Sequence, residues 1–250
     1  LAEGIFLDYS IISIQVHVMK AGSVAAARHY HVLCPEERKQ AQRFVRQSDK
    51  AMFEQGRIQR RLVLGDYLND DPAYLVFTAG RFGKPAVTST HAASVNFNTS
   101  HGSGVTTIAV VMDPVVAVGV DIERIDRQTP DSLWPLCLTV NELIWIRAAP
   151  PALRAHRFIR LWTCKEAILK ASGFGLQADP RSIDIDPESL EIRSLPPLLG
   201  EATHYRLQAY GLMNNLSLAV CIVSAKPGRI KMMIHDDSHC EEVDETVVLR

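Results

Sequence analysis

The sequence predicts an α+β chain of two comparable lobes, roughly residues 1–112 and 113–225, followed by a tail over 226–250. Three observations carry that expectation. Each half contains both period-two apolar stretches and helix-compatible stretches. Valine-rich segments on either side of Asp113-Pro114 place a turn at the midpoint, and no short repeat divides the 250 residues further. With 47% hydrophobic residues, a chain of this length buries a full core.

In the first half, Ile12, Ile14, Val16 and Val18 alternate with Ser13, Gln15 and His17, the pattern of a strand with one buried face. Pro35-Glu36-Glu37 opens a helical region with a break near Ser48-Asp49, and Asn69-Asp70-Asp71-Pro72 ends it after Leu68. Gly80 to Pro85 forms a turn. Ser94–Phe97 and Val105–Met112 read as strands flanking a loop from Asn98 to Gly104.

Val115–Glu123 is a further strand, expected to pair with the one before it. Helices follow over Asp131–Arg147 and Ala152–Ala171, the second stopped by Ser172-Gly173. Ile183–Ile185, Leu190–Ile192, Tyr205–Leu212 and Leu216–Val223 are strands, the last two joined around Asn214-Asn215. The crowded acidic and histidine segment from His235 to Glu242 reads as a solvated terminus.

The charge is balanced, with 27 basic against 28 acidic side chains, which gives no support for global attraction to nucleic acid or an anionic membrane. Five scattered cysteines without a C-x-x-C pair argue against a disulfide framework or a zinc site and suit a reducing cytoplasm. Neither a membrane span nor an export leader is visible.

Asp121 and Glu123 sit two apart on a strand and therefore project from the same face. Such a pair is ordinarily a solvated edge. Glu166 and Lys170 lie four apart on one helical stripe, an arrangement that in isolation is an intrahelical ion pair worth about 0.3–0.5 kcal/mol. Brought together, three carboxylates and a lysine would hold one Mg²⁺ and the phosphates bound to it. Ser100 and His101 offer a hydroxyl and an imidazole to phosphate oxygens, and Lys84 offers a cation on a constrained turn. Arg57 and Arg61 form a basic stripe that would reach a terminal phosphate if it faced the cleft.

Taken in order, Phe82-Gly83-Lys84-Pro85, Phe97-Asn98-Thr99-Ser100-His101, Gly119-Val120-Asp121-Ile122-Glu123 and the run from Trp162 to Lys170 resemble the 4'-phosphopantetheinyl transferases, in the large pseudo-dimeric class named for the surfactin-synthetase activator. The resemblance covers residues 10–225. It implies two similar lobes related by a pseudo-two-fold axis, each a small, largely antiparallel sheet packed with helices, with coenzyme A and Mg²⁺ between them. The implied reaction transfers phosphopantetheine to a serine of an acyl, peptidyl or aryl carrier protein and releases adenosine 3',5'-bisphosphate, in fatty acid, polyketide or nonribosomal peptide biosynthesis.

By motif, Asp121, Glu123 and Glu166 are similar to the family's metal ligands, and Glu166 and Lys170 to its catalytic groups. Lys84, Ser100, His101 and either Arg57 or Arg61 correspond to coenzyme contacts, while Glu37 and Gln40 stand where some relatives carry lysines. The resemblance implies a single-chain enzyme. A metal-dependent nucleotide pyrophosphate hydrolase and a non-catalytic scaffold for a carrier protein are the alternatives left open.

Overall fold

The computed structural model describes residues 11–22, 26–88, 94–102, 104–212 and 215–236, together with the backbone of 240–248. The first alternating stretch forms β1 (Ile11–Lys20), with Ile12, Ile14, Val16 and Val18 buried. A short α1 (Ala26–His29) leads to α2 (Pro35–Ala41), which starts on a proline and on Glu37 reaching back to the Cys34 amide. α3 (Gln47–Leu68) ends where Asn69 adopts the left-handed conformation, φ 50°. The helical break thus falls at residues 42–46, slightly before the expected one.

β2 (Val76–Ala79) and β3 (Pro85–Thr88) make a hairpin, followed by β4 (Asn96–Gly102), β5 (Val105–Val111) and β6 (Ala117–Arg124). A 3-10 segment, Asp131–Leu136, and α4 (Val140–Arg147) replace the single helix expected there, because Thr139 caps a fresh start by accepting from the Glu142 amide. α5 (Pro151–Ser172) matches expectation and closes on Gly173, φ 78°. The chain continues with β7 (Asp184–Ile185), β8 (Ile192–Ser194), β9 (Tyr205–Leu212), β10 (Leu216–Val223), β11 (Arg229–Asp236) and β12 (Cys240–Val248). Asn214, in the expected β9–β10 turn, lies outside the described residues; Asn215 has φ 58°.

A five-stranded sheet, ordered β12-β11-β1-β5-β4, packs face to face on a three-stranded sheet, β6-β10-β9. Pairing is antiparallel in both except between β1 and β11. Ile14, Ala109, Val118, Val120, Leu218, Val220 and Met232 share the core between the sheets. Period-two alternation sends the intervening residues outward. Ile108 and Val110 meet α3 through Leu64 and Leu68, and Ala219 and Cys221 meet α5 through Cys164, Ala167, Ile168 and Ala171. The result is an α/β/β/α stack. Both halves run strand, 22-residue helix, two-stranded hairpin and two strands, with short helices interposed.

Two expectations are corrected. β6 pairs with β10, from Ala117↔Val223 to Arg124↔Leu216, and not with β5, whose neighbours are β1 and β4. The Asp113-Pro114 connection crosses between sheets and makes no hairpin. Nor is the stretch after Lys226 wholly a solvated tail: β11 lies beside β1 and buries Ile230, Met232 and Ile234. Among the described residues no helix is long and apolar enough to cross a membrane.

Candidate active site at the junction of the two sheets

Along β6, Val118, Val120 and Ile122 fill the core between the sheets, so Gly119, Asp121 and Glu123 are on the face toward α5. Gly119 permits a very close approach. A Cβ there would stand 2.2 Å from the Ala167 carbonyl oxygen and the Ala171 nitrogen. The absence of that carbon seats α5 directly on β6 and brings Lys170 to Asp121.

β4 completes the junction. The sequence suggested a loop at Asn98–His101, but the strand runs through all four residues, because Asn98 and Ser100 bury their polar side chains against β6. Asn98 Oδ1 accepts from the Val120 amide at 3.0 Å, and Ser100 Oγ donates to Asp121 Oδ1 at 2.7 Å. Lys170 Nζ donates to that same Asp121 oxygen at 2.6 Å and to Ser100 Oγ at 3.0 Å, and lies 3.8 Å from Glu166 Oε2. Asn98 thus ties β4 to β6, and its spacing of two from Ser100 on the strand puts both side chains on the same face.

Asp121 is 4% exposed, and its second oxygen, Oδ2, is buried without a hydrogen-bond partner. An orphaned buried carboxylate oxygen is costly unless a cation or donor meets it. Burial, then the nearby Asp121 charge, raises the Glu166 pKa; Lys170 opposes them and Glu123 adds to them. A hard oxygen donor left without a partner, with a second carboxylate nearby, suits Mg²⁺.

Glu123 departs from the expected convergence. Its carboxylate accepts from Arg127 at 2.9 and 3.0 Å, because the turn after β6 folds Arg127 back over it. Among the described residues, accordingly, no three His, Cys, Asp or Glu side chains form a ligating cluster.

A cavity of about 590 Å³ opens beside Ser100 and His101, between α3 and the β2–β3 hairpin. His101 lines it, its pKa lowered first by partial desolvation and then by Lys170 and Arg57, against a smaller opposing effect of Asp121. Arg57 lines the cavity with its guanidinium over the Phe53 ring, 4.9 Å from the centroid.

Arg61 does not share that position. It is 2% exposed, its Nε donates to Glu37 at 2.7 Å, and its Nη1 donates to the carbonyls of Pro72 and Leu75. A guanidinium so enclosed is a structural tie, which removes Arg61 from the candidate phosphate contacts. Glu37 also binds Arg60, whose guanidinium stacks on Phe77.

Lys84 also differs from expectation. Its ammonium donates to the main-chain carbonyls of Val118 and Ala171, and it lines a second, smaller cavity near Phe82 and Phe174. Lys165, prominent in the sequence motif, is fully buried and paired with Glu142 at 2.6 Å, its remaining donors going to Cys137 and Pro180 carbonyls. It braces α5 and takes no part in the cavity.

The α+β scaffold thus presents carboxylates and a lysine at one junction, beside a cavity lined by Arg57 and Arg60. A family model described as 4'-phosphopantetheinyl transferase superfamily matches residues 117–221, and one described as 4'-phosphopantetheinyl transferase, N-terminal, matches residues 24–113. The chain belongs to the 4'-phosphopantetheinyl transferase family.

It is similar to the 4'-phosphopantetheinyl transferase HetI of Nostoc sp., 34% identical over 58% of this chain and 61% of the relative. It is also similar to the 4'-phosphopantetheinyl transferase gsp of Aneurinibacillus migulanus, 30% identical over 58% and 57%, and to that of Bacillus subtilis, 27% identical over 63% and 66%. The matched region therefore spans less than two thirds of each of these relatives.

Proposed function

We propose that this chain transfers 4'-phosphopantetheine from coenzyme A to a serine of an apo acyl, peptidyl or aryl carrier protein, in a Mg²⁺-dependent reaction that leaves adenosine 3',5'-bisphosphate. The observation that carries the reading is the Asp121–Ser100–Lys170 constellation with its unmet Oδ2, set against a cavity that holds Arg57 and His101. Family membership supports the transfer to carrier proteins. We further read the chain as the pseudo-dimeric class, acting as a single cytoplasmic chain with lobes at 1–112 and 113–225.

Asp121 and Glu166 hold the metal in this reading. Glu123 joins them by releasing Arg127, an exposed pairing that costs about 1 kcal/mol or less to break. Mg²⁺, when bound, screens the charge of the coenzyme's pyrophosphate. Arg57 binds a terminal phosphate through charge-assisted hydrogen bonds. The carrier serine Oγ forms a bond to the β-phosphorus as the bond from that phosphorus to the bridging oxygen breaks, and the pyrophosphate linkage is divided between carrier and leaving nucleotide.

The serine proton passes to Glu166, directly or through water. Lys170 and His101 face the negative charge that accumulates on the leaving α-phosphate.

The test incubates the purified chain with coenzyme A, Mg²⁺ and a panel of apo carrier proteins and reads the phosphopantetheine mass increase. Wild-type protein is expected to modify at least one carrier, and Asp121→Ala and Glu166→Gln to lose most turnover while staying folded. Coenzyme cleavage without a carrier would mark a hydrolase, and carrier binding without modification a scaffold; either result overturns the proposal.

A further inference from the structure

We propose that Lys84 is a positioning residue, whose ammonium clamps the end of α5 to the edge of β6 and thereby holds Glu166 and Lys170 against Asp121; it does not contact the coenzyme. The inference rests on the functional reading above. Its backbone is fixed first: the Gly80 amide donates to the Lys84 carbonyl at 2.8 Å, and Gly83 makes the turn with φ 87°. Pro85 then starts β3 and fixes the exit. From this rigid corner the side chain runs past Gly173, whose added Cβ would lie 3.7 Å from Lys84 Cδ.

The ammonium ends between two main-chain oxygens, Val118 at 2.9 Å and Ala171 at 3.1 Å. Neither oxygen has an obvious alternative donor. Ala171 lies in the last turn of α5, where carbonyls lack helical partners and the helix dipole is negative. Val118 is on β6, the edge strand of its sheet, where Asn98 from β4 covers the neighbouring Val120 amide. Lys84 thus joins β6 three residues before Asp121 to α5 one residue after Lys170, from a hairpin belonging to neither element.

Lys84 lines the cavity bordered by Phe82 and Phe174 and not the cavity lined by Arg57 and His101. A coenzyme contact and a clamp make opposite predictions. In Lys84→Met the clamp is lost with little change in volume. The Kd for coenzyme A by calorimetry is expected to stay within about twofold of wild type, kcat to fall about 10–100-fold, and the Mg²⁺ concentration at half-maximal rate to rise about tenfold, as for residues that orient a metal's ligands.

A coenzyme Kd raised tenfold or more with kcat retained would overturn the inference, as would unchanged kcat and Mg²⁺ dependence. If the variant does not fold, the wild-type chain decides: the Lys84 ¹⁵Nζ resonance is expected to hold its shift through a coenzyme A titration, and a large shift at saturation overturns the clamp. Wild-type protein that binds no coenzyme A counts against the functional reading and not against the role of Lys84.

Discussion

Gly119→Ala is the sharpest single perturbation of this site. The new methyl carbon would be 2.2 Å from both the Ala167 oxygen and the Ala171 nitrogen and 2.8 Å from Ala171 Cα, all main-chain atoms of α5. No rotamer change relieves such a contact, so the helix must retreat by roughly 1 Å to restore ordinary van der Waals separation. α5 is held on the sheet by Cys164, Ala167, Ile168 and Ala171 against Ala219 and Cys221, so the retreat loosens a packed core. Overpacking of this kind costs about 1–3 kcal/mol, and we expect the upper end because backbone has to move.

The same retreat stretches the 2.6 Å contact between Lys170 and Asp121 beyond hydrogen-bonding length. A displacement of that size near reacting groups lowers turnover by about 100-fold. Guanidinium unfolding midpoints and carrier modification rates measure both effects. A variant within about 1 kcal/mol of wild type and within about threefold in rate would refute the claim that α5 is seated on Gly119.

Arg61→Met should destabilise the fold by about 1–3 kcal/mol by leaving the buried Pro72 and Leu75 carbonyls without their donor and Glu37 with Arg60 as its remaining arginine partner, whereas Arg57→Ala should leave stability within about 1 kcal/mol; chemical denaturation separates them. If Arg57 meets the coenzyme's 3'-phosphate, its loss weakens coenzyme A binding and barely affects the dephospho form, a comparison made by titration calorimetry. Lys165→Met strands Glu142 in the interior and should cost about 3–5 kcal/mol, read from the melting transition.

His17 gives a pH signature: burial and then His235 lower its pKa to about 4, so the unfolded chain takes up a proton below about 6.5 that the folded chain refuses. His17 stacks on His235 and bonds to Tyr67 Oη at 2.8 Å. Stability should therefore be full above pH 6.5 and fall by up to about 3 kcal/mol towards pH 4, and His17→Gln should flatten that slope in urea titrations.

The contrast between legible and hidden features follows local periodicity. β1 and α5 announced themselves because their apolar residues recur at the spacing of the element they form. β4 did not, since Asn98, Ser100 and His101 are poor strand formers, and only the partner strand β6 makes their polarity useful. The β6–β10 pairing spans almost a hundred residues, and nothing local distinguishes it from a hairpin with β5.

The i, i+4 spacing of Arg57 and Arg61 placed both on one stripe, yet Glu37 draws Arg61 inward while Arg57 faces the cavity. Ile230, Met232 and Ile234 do show a strand period, but their place beyond the two expected lobes, just ahead of an acidic and histidine run, led to their being set apart as a tail. At the site itself, the carboxylates and Lys170 were recognisable by type and order. The turning of Glu123 to Arg127 and the engagement of Lys84 with backbone depend on three-dimensional proximity alone.

During synthesis, β1 leaves the ribosome roughly two hundred residues ahead of β11, yet the two lie edge to edge from Ile11↔Arg229 to Val18↔Asp236. Until that late arrival, one flank of β1 presents unpaired amides and carbonyls to whatever else is nearby. Closing so long a loop slows assembly and leaves the nascent amino-terminal half vulnerable to sticking. Loss of even a short stretch near residue 230 would consequently be felt in β1, far back along the polypeptide, in a layer most of whose strands were completed long before.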